Sequence, residues 1–142
     1  MPNYCQNVLI IRDADLALKL FLNQTMTKDS ILDFRKILPT PEGEDWYEHN
    51  CTYWGTKWYP EVKESEIEKE QQPDGRMEYR IRFETAWTPP IPAIQEMLAR
   101  QPLMYAELNW VEEGADFSGH IVWKKGKITE EFDGDITTDG YV

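Results

Sequence analysis

The most regular pattern in the chain is the alternation of apolar and charged residues over positions 77–87. A period of two is typical of a β-strand with one buried side and one side that faces solvent. The residues expected to point toward the core are Tyr79, Ile81, Phe83, Thr85 and Trp87. Similar patterns predict further strands at residues 5–11, 103–111, 117–123 and near 128–132. The core is therefore expected to lie against one face of a sheet.

Two segments have the three- and four-residue apolar spacing of amphipathic helices. The first follows the opening strand, where Asp13 or Asp15 can cap it. Its inward stripe is predicted to be Leu16, Leu20 and Phe21. The second begins near Pro92, because proline suits the first turn of a helix. Its buried side is predicted to be Ile91, Ile94, Met97 and Leu98.

An aromatic stretch at residues 45–60 holds three of the six tryptophans and three of the seven tyrosines. Four-residue spacing at its start predicts a short helix, and Gly55 suits a left-handed cap at the end of that helix. One interpretation is that the helix packs on the sheet and its tryptophans belong to the core, as buried aromatic residues usually do. The other is a ligand or partner cleft that Trp54 and Trp58 wall, with Lys57 between them.

The order strand, helix, strands, helix, strands is that of a ferredoxin-like α+β domain. We expect an antiparallel sheet with two helices on one face, an inserted aromatic helix at about residues 43–54, and a C-terminal β-meander. A chain of 142 residues suits one domain, spanning residues 1–142. Its polar, acidic end predicts a mobile tail from about residue 133.

The charge of the chain is strongly negative, at −11 from 26 acidic and 15 basic residues. This argues against a general nucleic-acid binder, which needs a basic surface to displace counterions. No apolar run approaches the ~18 residues of a membrane span, and the N-terminus lacks the pattern of a signal peptide. The two cysteines are then expected to be free thiols in a reducing compartment. These features together predict a cytoplasmic location.

Six short motifs occur in a specific order along the chain. They are PNYCQNV, DFRKILPTP, DWY, WGTKW, FETAWTPP and EEGADFSG. In this order, from about residue 2 to about residue 120, they resemble the YubB/Api92-like family of phage, plasmid and other mobile-element proteins. Two positions depart from the family pattern, namely Tyr4 and the Cys51-Thr-Tyr segment before Trp54. The resemblance implies a ferredoxin-like fold and a mobile-element origin, and it implies no catalytic residues.

No residues have the spacing of a catalytic or metal site. His49 and Cys51 are two positions apart, so on a helix they face different ways, and His120 is far away in sequence. The two histidines and two cysteines lack the paired spacing of a structural zinc site. The acidic segment 133–139 lacks the glycine and the closing glutamate of a calcium loop. We therefore expect no catalytic residue, no metal and no cofactor.

Arg80 and Arg82 are predicted to lie on the sheet face opposite the helices. The same face is expected to carry Tyr105, Glu107, Asn109 and His120. One interpretation is cross-strand ion pairing on a wet face. The other is a polar platform for a nucleotide or a phosphorylated ligand.

Together these features favour a non-enzymatic accessory protein of a phage or mobile element that binds a host protein or complex. In its most specific form, this hypothesis is that the chain inhibits a nucleic-acid-directed defence system, as an anti-CRISPR protein does. Its acidic side chains would then lie against a basic surface of the host protein. Trp54 or Trp58 would be the apolar anchor. The acidic candidates are Glu61, Glu64, Glu66, Glu68, Glu70, Glu130, Glu131, Asp133 and Asp135.

Two further possibilities remain open at this point. The chain is alternatively a small-molecule or nucleotide-binding domain that uses the Trp54–Trp58 turn, with Lys57, Arg80 and Arg82 as the candidate cations. An exposed edge strand would also allow two copies to pair as a homodimer.

Overall fold

The computed structural model describes residues 4–43, 45–112, 114 and 117–135. Its main elements are β1 (Tyr4–Asp13), α1 (Asp15–Asn23), α2 (Trp46–Tyr53), β2 (Glu68–Gln71), β3 (Met77–Ala86), α3 (Ile91–Arg100), β4 (Tyr105–Glu112), β5 (Phe117–Lys124) and β6 (Lys127–Asp135). Two short 3-10 turns, Phe34–Lys36 and Glu64–Glu66, lie in the connections on either side of α2. The predicted α+β class and the inserted aromatic helix are confirmed, and the helix lies before the second strand.

The described strands form one antiparallel sheet in the order β2-β3-β1-β4-β5-β6. β1 is central, with Leu9 opposite Ile81 of β3 and Leu108 of β4. Its apolar run suits this place, because a central strand has neighbouring strands on both sides and little contact with water. β4, β5 and β6 follow one another as hairpins, which is the predicted C-terminal meander.

The core lies on one face of the sheet. α1 and α3 both contribute to the same cluster of buried residues as the inward positions of β1, β3, β4 and β5. The alternation predicted for β3 is confirmed for Tyr79, Ile81, Phe83 and Thr85, which are all buried. The buried side of α3 is also confirmed for Ile94, Met97 and Leu98.

The predicted inward stripe of α1 is wrong at two positions. Leu16 is 68% exposed and Leu20 is 49% exposed, whereas the helix buries Leu18, Phe21 and Leu22. Leucines surround most of this helix, so the four-residue spacing fits more than one face. The turn from β1, with Ala14 as the residue before the helix, determines which face meets the sheet.

The last strand runs past residue 133, where the mobile tail was expected to begin. β6 continues to Asp135, with Asp133 opposite Gly119 and Asp135 opposite Phe117 of β5. An edge strand needs only backbone partners on its inner side, so acidic side chains do not prevent it from pairing. The remainder of the predicted tail, residues 136–142, lies outside the described residues.

Candidate functional site

Two motifs that are distant in sequence, WGTKW and TAWTPP, pack against each other at one end of the sheet. Gly55 follows α2 with a φ of +85°, and a Cβ atom there would lie 2.4 Å from Cδ of Pro92 and 3.0 Å from the carbonyl oxygen of Pro89. The hydroxyl of buried Thr56 donates to the carbonyl oxygen of Ala86 at 2.9 Å. Only glycine fits the left-handed conformation and the close approach together. The contact explains why the two motifs occur together in one chain.

Trp87 occupies a strained turn directly after β3. Its φ is +72°, and the Thr88 N–H donates to the carbonyl oxygen of Ala86 at 2.8 Å across it, which is the bonding of a γ-turn. The hydroxyl of Thr85 donates to the carbonyl oxygen of Thr88 at 2.7 Å. Such a conformation costs about 1–3 kcal/mol for a bulky residue and persists only where surrounding bonds maintain it.

The turn places the indole of Trp87 outside the core. Trp87 is 47% exposed, so its predicted inward position at the end of the β3 alternation is wrong. β3 ends at Ala86, and the γ-turn reverses the side-chain direction that a continued strand would have given.

The tryptophans of the aromatic stretch have different environments. Trp54 is 2% exposed, its indole N–H donates to the carbonyl oxygen of Leu38 at 2.8 Å, and its ring meets Phe34 edge-on at 5.9 Å. Trp46 is 51% exposed and Trp58 is 38% exposed. The core interpretation is therefore right for Trp54 and wrong for the other two. The predicted cleft between Trp54 and Trp58 is not formed. Trp54 follows the last residue of α2 and points into the core, and Gly55 then turns the chain so that Trp58 lies at the surface.

Trp58 lines a groove of about 620 Å³ beside the edge of β3, which we call the Trp58 groove. Its described lining is Tyr4, Gln6, Trp58, Tyr59, Pro60, Glu61, Val62, Glu66, Arg82, Phe83 and Glu84. The charged members are the carboxylates of Glu61, Glu66 and Glu84 and the guanidinium of Arg82, whose Nε lies 3.2 Å from Glu68. The lining is therefore aromatic and carries net negative charge.

An ion-pair cluster supports the Tyr59 wall of this groove. The guanidinium of Arg35 lies over the Tyr59 ring at 4.6 Å and bonds Asp33 at 2.6 Å. Burial by itself would raise the pKa of Asp33, but hydrogen bonds from Arg35 and from the Thr27 hydroxyl outweigh it and hold that pKa below its ordinary value. The charged form of Asp33 therefore stabilises the segment that precedes α2.

A second groove, of about 800 Å³, lies between α2 and the start of α3, and we call it the Trp87 groove. Its described lining is Tyr47, Cys51, Gly55, Lys57, Ala86, Trp87, Thr88, Pro89, Ile91, Pro92, Trp110, Phe117 and Asp133. The ammonium of Lys57 lies 5.7 Å from the centre of the Tyr47 ring and 5.0 Å from that of the Trp58 ring. Lys57 therefore faces the Trp87 groove, with Trp58 on its other side.

The acidic candidates do not form one surface. Glu61 and Glu66 line the Trp58 groove, and Glu64 lies in the 3-10 turn before β2. Glu68 and Glu70 are on β2, opposite Arg80 and Glu78 of β3. Glu130, Glu131, Asp133 and Asp135 belong to β6, at the opposite edge of the sheet.

Arg80 and Arg82 lie on the open face of the sheet, as predicted from the alternation of β3. Arg80 bonds Glu78 at 3.3 Å, and Glu78 also bonds Arg12 at 2.7 Å. Burial alone would raise the pKa of Glu78, but these two arginines outweigh it and lower that pKa. Arg80 thus pairs within its own strand, while Arg12 with Glu78 and Arg82 with Glu68 pair across strands. This arrangement agrees with the ion-pairing interpretation of the face.

The two cysteines are free thiols in different environments. Cys5 is fully buried, and burial, with a smaller effect of Glu112, raises the pKa of its thiol to about 12. Cys51 is exposed on α2.

Iodoacetamide is therefore expected to add one group per native chain, and none to Cys51→Ser, as read from the intact mass. Rapid addition of two groups to the folded wild type would contradict this assignment.

The described residues show neither a membrane-spanning helix nor a metal-binding cluster. None of the helices among them has the length and apolar character that crossing a bilayer requires. Within the same part of the chain, no three His, Cys, Asp or Glu side chains are grouped as metal ligands would be. His49 contacts Thr40 and Asn50 and lies beside the Tyr53 ring, while His120 lies beside Phe132.

The fold defines an α+β domain of the ferredoxin-like class, with one groove near Trp58 and one near Trp87. The family model described as the ferredoxin-like domain in Api92-like protein matches residues 54–141, so the chain belongs to this family. The chain is also similar to the crystal structure of a protein Api92 from Yersinia pseudotuberculosis, with a TM-score of 0.51 and 14% sequence identity. The likeness covers 75% of this chain and 40% of that one, and it concerns the fold. Among curated proteins, none matches.

Proposed function

We propose that this chain is a non-enzymatic binding protein that holds a basic segment of a partner protein in the Trp58 groove. One observation carries the proposal. The half-exposed side chain of Trp58 lies in the same groove as three carboxylates, those of Glu61, Glu66 and Glu84. Its cation, Arg82, is already matched by Glu68. A lysine or arginine side chain would therefore meet both negative charge and an aromatic face.

The physical basis is a half-exposed indole within an acidic rim. Burying the remaining exposed area of Trp58 on binding supplies apolar contact, and tryptophan is among the residues that dominate interface energies. The carboxylates supply charge complementarity, which raises the association rate and excludes acidic partners. Both effects favour a basic, extended segment with an apolar residue beside its cations.

The resemblance to mobile-element proteins supplies a setting for this activity. In the cytoplasm of a host cell, a net charge of −11 favours surfaces that normally hold nucleic acid. The partner is then a host protein or complex that binds nucleic acid through a basic segment, and a nucleic-acid-directed defence system is the specific candidate. The acidic residues of the Trp58 groove would compete with nucleic acid for that surface.

The alternative of a ligand site in the Trp54–Trp58 turn has weaker support. Trp54 is in the core, and Arg80 lies on the open face of the sheet in an ion pair with Glu78. A homodimer through β6 also has weak support, because pairing with a second copy would bring Glu130, Glu131 and Asp133 close to their own copies. A basic partner protein remains the better hypothesis.

A capture experiment with matched variants tests the proposal. Tagged wild type, Trp58→Ala and Trp46→Ala are used to capture proteins from the cells in which the chain is naturally encoded. Trp46 is more exposed than Trp58 and is not among the described residues of either groove. We expect a specific protein that wild type and Trp46→Ala retain equally and that Trp58→Ala retains about tenfold less. The same captured proteins in the same amounts for all three would refute the proposal.

A further inference from the structure

We infer that the Trp87 groove is a separate binding site for a small aromatic molecule that carries a negative charge. This inference is independent of the proposed protein-binding function, because it concerns a different groove. Its volume of about 800 Å³ lies within the range of small-molecule sites, which is roughly 300–1,000 Å³.

The walls of the groove come from four elements and are mostly apolar. Tyr47 comes from α2, Trp87 from the γ-turn, Trp110 from β4 and Phe117 from β5. The ring of Trp110 packs on Gly119 of β5, where an added Cβ atom would lie 2.3 Å from its Cζ2. Trp110 is 4% exposed, so only an edge of its buried indole reaches the floor of the groove. Convergent aromatic rings of this kind favour a planar aromatic group.

The charge in the groove is placed at one end. Lys57 is half-buried beside the rings of Tyr47 and Trp58, and within the described part of the chain its ammonium makes no ion pair closer than 4 Å. Asp133, the other charged residue of the lining, stands on β6, beyond Trp110 and Gly119 in the sheet. A ligand that packs on the exposed rings of Trp87 and Tyr47 therefore meets the cation at the α2 end. An anionic group at that end would form a charge-assisted hydrogen bond with the Lys57 ammonium.

The backbone strain at Trp87 is a second observation that points to the same place. The φ of +72° is maintained by the hydroxyls of Thr56 and Thr85, which bond the carbonyl oxygens of Ala86 and Thr88. Residues held in such sparsely populated conformations cluster at active sites and ligand clamps. Here the result is an indole held at the rim of the groove instead of in the core.

A pair of fluorescent probes tests the inference. 8-Anilinonaphthalene-1-sulfonate carries an anionic sulfonate, and N-phenyl-1-naphthylamine is its uncharged counterpart. We expect both probes to bind the folded wild type, and Trp87→Ala to weaken both by about tenfold. Lys57→Gln is expected to weaken the sulfonate about tenfold and to leave the uncharged probe unchanged, because only the charge-assisted contact is lost.

Two controls keep the result specific to this groove. Trp46→Ala, which lies outside the described lining of both grooves, is expected to bind both probes as the wild type does, and circular dichroism verifies that every variant is folded. Equal loss of both probes in Lys57→Gln would overturn the anionic character of the ligand. Unchanged binding in a folded Trp87→Ala, or an absence of binding to wild type, would overturn the site.

Discussion

Replacing Gly55 by alanine is expected to lower the free energy of unfolding by about 4 kcal/mol. The positive φ accounts for roughly 1–2 kcal/mol of this. The remainder comes from overpacking, because the new methyl group would lie 2.4 Å from Pro92 and 3.0 Å from the Pro89 carbonyl oxygen. Neither atom is at the far end of a flexible side chain, so the α2 end and the start of α3 would have to separate. Urea denaturation followed by tryptophan fluorescence measures the change.

Gly75 supplies the matched control for this prediction. Its φ is +89°, close to that of Gly55, but a Cβ atom there would have no neighbour within 4 Å. Gly75→Ala therefore carries the conformational cost alone, and about 1 kcal/mol is expected. If the two substitutions cost the same, the close packing of the WGTKW and TAWTPP motifs would not be a determinant of stability.

Replacing Asp33 by asparagine is expected to lower the free energy of unfolding by about 3 kcal/mol near neutral pH. Asp33 is buried and accepts hydrogen bonds from the Thr27 hydroxyl at 2.8 Å and from the Arg35 Nε at 2.8 Å. Asparagine keeps the shape but removes the charge and turns one acceptor into a donor facing Arg35. Loss of a buried charged partner typically costs this much. Asp29→Asn is the control, because Asp29 bonds the same Arg35 but is half-exposed, and a loss of at most ~1 kcal/mol is expected.

The ion pair of Asp33 with Arg35 also gives the stability of the protein a pH dependence of known sign. Since the folded pKa of Asp33 is lowered, its contribution is present above the unfolded value of about 3.9 and is lost as the pH falls through the folded pKa. The stability difference between wild type and Asp33→Asn should therefore be large at neutral pH and shrink below about pH 4. Denaturation curves at a series of pH values measure it. A difference that stays constant down to the lowest pH at which wild type folds would contradict the assignment.

Much of the fold followed from local patterns. The alternation in β3 and the apolar spacing of α3 each had one dominant period, and most of the predicted inward positions are buried. The exceptions are Ile91, which is only partly buried, and Trp87, while Glu78 is buried on the other face of β3. Gly55 was recognisable as a helix end because a residue with positive φ was needed there. α1 was less predictable, since leucines on several sides fit more than one buried face.

The candidate site was predicted in part. Trp58 and Lys57 were predicted to lie beside each other, as they do, but their third predicted neighbour, Trp54, is in the core. Trp58 lies with Tyr4 and Glu84, and Lys57 with Tyr47 and Trp87. These neighbours come from distant parts of the chain, and their proximity depends on the packing of Gly55 and the γ-turn, which no local pattern contains. The Thr-Pro-Pro after Trp87 was the available signal, because it showed that the strand had to end there.

The central claim is that carboxylates of the Trp58 groove hold a basic partner segment, and the salt dependence of binding tests it most directly. The dissociation constant of the captured partner is measured for wild type and for the triple variant Glu61→Gln, Glu66→Gln, Glu84→Gln, whose amides keep the shape and the oxygen acceptors. We predict that wild-type affinity falls about tenfold or more between about 50 mM and about 500 mM salt, and that the variant binds weakly with little salt dependence. Equal affinities and equal salt dependence for the two proteins would contradict the account.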